Sequence, residues 1–130
     1  MATWTKAGSA DFCLVADPKK LTKGSAQPGA LTLDYKNRSM VPLTAAVLKL
    51  YSSDPAVADA KASATPAPSI HISRRPNKLS AWPPSTGSTT IGSWSPVAGG
   101  SATLNADVNV EDNAGRRTNT ATSSHDVEVT

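Results

Sequence analysis

Three side chains in this sequence carry nucleophile or soft-metal chemistry: Cys13, His71 and His125. Their settings argue against its use. The two histidines stand 54 positions apart, and with one cysteine they make no zinc-ligand spacing. No serine sits in a G-x-S-x-G or related nucleophile context. Cys13 lies in the apolar run Phe12-Cys13-Leu14-Val15, where a thiol acts as a small buried hydrophobe. As the only cysteine it forms no intrachain disulfide, and a bond to another chain is the alternative role. Asp107, Glu111, Asp112 and Asn113 offer oxygens to a calcium ion. The same residues, followed by Gly115, are also what a tight turn needs, and turn chemistry is the stronger reading. Trp82 and Trp94 suit a sugar-stacking platform, but tryptophans more often anchor a core or an interface. The residues therefore predict no catalytic group, no cofactor and no bound metal.

The element around which the chain is organised is Ser101 to Val110, S-A-T-L-N-A-D-V-N-V. Ala102, Leu104, Ala106, Val108 and Val110 alternate without exception against polar partners. A period of two means a strand with one face on a core and one in water. The cluster Glu111-Asp112-Asn113-Ala114-Gly115 then turns the chain, and alternation resumes through Val127 and Val129, which predicts a β-hairpin.

The other elements follow in order. Residues 1–10 read as an N-terminal arm anchored by Trp4, and residues 11–130 as one domain. Asp11–Ala16 is a first strand, and Lys19, Lys20 and Lys23 decorate the loop after it. Leu31, Leu33 and Tyr35 alternate in a second strand. Leu43–Tyr51 is apolar on both faces, as in a strand buried on both sides or one that bends between sheets; a helix competes, but the flanking prolines favour strand. Asp54–Pro68, rich in alanine and proline, reads as a long loop with one helical turn over Ala56–Lys61. Short strands are expected at Ile70–Ile72, Leu79–Trp82 and Thr89–Trp94. The predicted core contains Leu31, Leu33, Val47, Leu104, Ala106, Val108, Val110, Val127 and Val129. Ten prolines, eight glycines and only six aromatic residues fit a single all-β sandwich of seven to eight antiparallel strands.

A net charge of +3 is too small to imply nucleic acid, and no stretch approaches the roughly 18 apolar residues of a membrane span. The start lacks the apolar core of a signal peptide, so the chain is expected to be made in the cytoplasm. Charge is uneven: residues 1–59 sum to +2, 60–106 to +4 and 107–130 to −3. Such blocks are either scatter on a solvated surface or complementarity between neighbouring copies.

Two segments, Gly29–Asp54 and Trp94–Val129, carry a resemblance. A strand reaching an asparagine is followed by an apolar strand ending in a tyrosine. Then come P-x-x-G-G, a long alternating strand, an acidic-glycine turn and a final strand. This order resembles bacterial immunoglobulin-like modules of the CARDB kind, seven-stranded sandwiches that serve as spacers, stalks and binding modules. Similar sandwiches recur on the particles of tailed bacteriophages, in capsid decoration, neck and tail. The resemblance implies a non-enzymatic structural protein of a virus particle, located in the virion and bound to other virion proteins and to copies of itself. An adhesion or carbohydrate-binding module of a bacterial surface protein is the alternative. Contacts with partners are expected from Trp4 in the arm and from Arg74, Arg75, Lys78 and Trp82 in the wider stretch between Asp54 and Pro84, because buried Trp and Arg dominate interface energetics.

Overall fold

The computed structural model describes residues 4–67, 78–112 and 114–130. They contain ten strands and no helix: β1 (Thr5–Ala7), β2 (Ala10–Asp17), β3 (Lys20–Leu21), β4 (Gly29–Asn37), β5 (Leu43–Ser52), β6 (Ala58–Ala67), β7 (Lys78–Trp82), β8 (Thr86–Pro96), β9 (Gly100–Glu111) and β10 (Ala121–Val129). This exceeds the seven to eight strands expected, because the short β1 and β3, of 3 and 2 residues, pair at the sheet edges. The strands form two five-stranded sheets, β1-β2-β4-β8-β6 and β3-β10-β9-β5-β7. The architecture is a two-layer β-sandwich, as the alternation predicts.

The core lies between the sheets. All nine predicted core residues belong to it, with Leu31, Leu33, Leu104, Ala106 and Val108 fully buried. On β9 the even residues from Ala102 to Val108 are buried, while Thr103, Asn105 and Asp107 are partly exposed. β9 and β10 pair antiparallel from Ala121↔Val108 to Val129↔Gly100, completing the predicted hairpin. In β5, Leu43 through Val47 are buried without alternation, as expected of a strand between β9 and β7.

At one side the two sheets are linked directly. The Leu14 N–H of β2 donates to the Ser123 hydroxyl of β10 at 2.8 Å, in a buried position. The backbone N–H is thereby satisfied where the short β1 no longer reaches it.

Four further expectations change. Asp54–Pro68 is not a loop with a helical turn: Asp54 opens a turn in which the Val57 and Ala58 N–H groups donate to its carbonyl, and β6 follows over Ala58–Ala67. Alanine on alternate positions supplies the apolar face of a strand, and pairing with β8 overrides alanine's high helix propensity, which tertiary context readily outweighs. The arm is not separate from the sheet, since Thr5–Ala7 pair with β2 and Ala7 is buried. Gly8, at φ 60°, makes the tight return. Trp82 belongs to the core rather than to a loop surface. Finally, the strands are not all antiparallel, because β3 runs parallel to β10.

Candidate functional site

Of the residues that could do chemistry, the two described ones, Cys13 on β2 and His125 on β10, lie in different sheets. β2 sends Phe12 and Leu14 into the core, so Cys13 faces the opposite side of its sheet. It is nonetheless only 1% exposed and stands across from Asp34 on β4. Burial first, and the Asp34 carboxylate second, push its thiol above the ordinary value, which suppresses the reactive thiolate. His125 pairs with Leu104 across the hairpin, and its buried Nδ1 has no hydrogen-bond partner among the described residues. His71 lies outside the described residues, as do Arg74, Arg75 and Asn113.

The acidic turn works as a turn. Asp112 accepts the N–H groups of Ala114 and Arg116, each at 2.9 Å, and lies 3.3 Å from the Arg116 guanidinium. The Arg116 backbone bond and the Ala114 bond hold its carboxyl below the usual range, with the Arg116 charge adding to them. Asp107 is engaged elsewhere, accepting from Thr122 at 2.7 Å. Among the described residues no three His, Cys, Asp or Glu are grouped to hold a metal ion.

Neither Trp82 nor Trp94 forms a platform, because both are fully buried. Trp82 stacks on Tyr35 with ring centroids 4.9 Å apart and tilts against Phe12. Trp94 donates from its indole to the Pro18 carbonyl at 3.0 Å. Buried rings present nothing to a partner, so Trp82 is not an interface anchor. Trp4 differs: it is 49% exposed, and the Lys36 ammonium lies 5.9 Å from its ring centroid. Lys78 begins β7.

What the register does assemble is a polar ladder on the outer face of the β10-β9-β5 layer. Three cross-strand pairs of the hairpin are hydrogen-bonded: Thr122 to Asp107, Ser124 to Asn105 at 2.6 Å, and Thr103 to Asp126 at 2.7 Å. On β5, Tyr51 donates to Asp107 at 3.3 Å, and the Lys49 ammonium lies 4.6 Å from the Tyr51 ring centroid. Burial of the phenol, then the Asp107 charge and hydrogen bond, push Tyr51 above its ordinary pKa. At its β3 end the ladder opens into a shallow groove of about 510 Å³ bordered by Lys20, Ser53, Ser101, Thr103, Asp126 and Glu128. The Ser53 hydroxyl accepts the Thr103 N–H at 2.9 Å, and Lys20 pairs with Glu128 at 3.6 Å.

This surface is not apparent in the one-dimensional sequence. The polar half of the alternation is visible there, but which polar residues meet depends on register across three strands. No protein-family model matches the chain, and no curated protein matches it.

Proposed function

We propose that this chain is a non-enzymatic structural protein of a virus particle, an immunoglobulin-like sandwich serving as a bacteriophage capsid decoration or neck/tail accessory. It works by contact with other virion proteins and with copies of itself. The observation that carries the reading is Trp4. A large aromatic side chain is half exposed beside the short edge strand β1, while the other two tryptophans are fully buried. Exposed tryptophan costs solubility and gains a great deal when a partner covers it. The edge strand beside it also offers unpaired backbone groups to a neighbouring chain. Lys36 adds positive charge beside the ring, which suits an acidic partner.

The test compares native material with a Trp4→Ala variant by particle sedimentation and mass measurement. The reading predicts stoichiometric co-sedimentation with a large particle, lost in Trp4→Ala while the variant keeps the parent melting curve. A clean monomer that never associates with particles contradicts it.

A further inference from the structure

The ladder and the groove form one continuous feature. Ser53, just past the end of β5, and Thr103 of β9 border the groove, and Tyr51 and Asn105 stand two positions further along the paired β5 and β9. Each ladder group is held by a neighbour, so the surface is ordered before anything binds, and little side-chain entropy is left to lose. The held groups keep binding capacity: the carboxylates of Asp107, Asp126 and Glu128 retain free lone pairs, and the ammonium groups of Lys20 and Lys49 retain free donors. Three carboxylates, Asp107, Asp126 and Glu128, face three ammonium groups, Lys19, Lys20 and Lys49. The surface is therefore neutral in sum, with no reason to select an anion or a cation. It is rich in hydroxyls and alternating donors and acceptors, and it has one aromatic ring.

We propose that this face is a saccharide-binding groove that takes a neutral oligosaccharide. Vicinal hydroxyls are both donor and acceptor at a short fixed spacing, and they match a surface where carboxylate, hydroxyl and ammonium alternate. One pyranose ring stacks on Tyr51 after displacing the Lys49 ammonium, a weak contact at this exposed position. The displaced ammonium then donates to the sugar. The remaining rings run past Asn105 toward Ser53, Thr103 and Asp126. A groove open at the surface accommodates internal segments of a chain rather than only its end. The inference does not depend on the virion reading, because a particle-bound protein and a free module can both carry such a face.

The test titrates isotope-labelled full chain with maltohexaose, cellohexaose, mannohexaose and chitohexaose at millimolar concentration and follows backbone amides. At least one probe should shift the amides of Tyr51, Ser53, Thr103 and Asn105 and leave those of β4 in place. Tyr51→Ala should weaken that binding by roughly tenfold, equivalent to about 1.4 kcal/mol. Tyr51→Phe, which keeps the ring, should bind nearly as the parent does. Thr103→Val supplies a second loss with an isosteric side chain, and a melting curve for each variant separates lost binding from lost fold. If none of the four probes shifts the face, or if folded Tyr51→Ala and Thr103→Val both bind as the parent, the proposal is overturned.

Discussion

β9 and β6 are both long strands with strict alternation, and the sandwich uses them in opposite ways. β9 reads A-T-L-N-A-D-V-N-V, with Leu104 and Val108 on its inner face. β6 opens A-D-A-K-A-S-A-T, the same period written in alanine. Alanine buries little area, so the pattern adds little to hydrophobic stabilisation. β9 is central, paired on both sides, and fixed by what its side chains fill. β6 lies at a sheet edge and is fixed by how closely its backbone approaches its neighbour. Gly92 of β8 is the clearest sign. A Cβ there would collide with the Lys61 carbonyl oxygen of β6 and come within 2.8 Å of Leu50 Cδ2. Strands can be held by volume or by the absence of volume, and only the first kind is conspicuous in a hydropathy pattern.

Removing volume from β9 should have the largest effect. Leu104→Ala empties a fully buried site and should cost about 2–5 kcal/mol in chemical denaturation. A cost near zero would place that face in solvent. Adding volume against β6 should come next. Gly92→Ala should destabilise by about 1–3 kcal/mol, the usual range for forcing a methyl into a packed site. A neutral outcome would mean that β6 does not pass where it is described.

The smallest effect belongs to the turn that follows β9. The folded pKa of Asp112 is lowered by backbone N–H groups, so its contribution to stability is present above the unfolded carboxyl value, about 3.9. It is lost as pH falls through the lower folded value. Asp112→Asn should flatten the acid limb of the pH–stability curve while leaving the fold intact. An unchanged acid limb would remove the carboxylate from the account of the turn.

The same contrast explains what the sequence disclosed. The hairpin, β4 and β5 are legible because Leu, Val and Tyr mark one face at period two or fill both. β6 is obscured because alanine also favours helix and because Pro66 and Pro68 suggest a loop. In the structure Pro66 falls where the β6–β8 register shifts between Ala62 and Ala67, a place where an edge strand tolerates a missing donor. Trp82 is ambiguous in sequence, lying just before Pro83-Pro84. Its burial depends on Tyr35, forty-seven positions earlier, and on Asn37, whose amide donates to the Trp82 carbonyl at 2.9 Å. The candidate face is less legible still. Tyr51 reads only as the end of a strand until register sets it beside Asn105 and Asp107.

Amide hydrogen exchange across Ala58–Ala62 tests most directly the claim that this alanine segment is a strand of the sandwich. An edge strand donates alternate N–H groups to its partner and turns the others outward. The account predicts alternate amides protected well above the level of the Ser25–Gln27 turn, with the intervening ones exchanging freely. Uniformly fast exchange from Ala58 to Ala62 would contradict it.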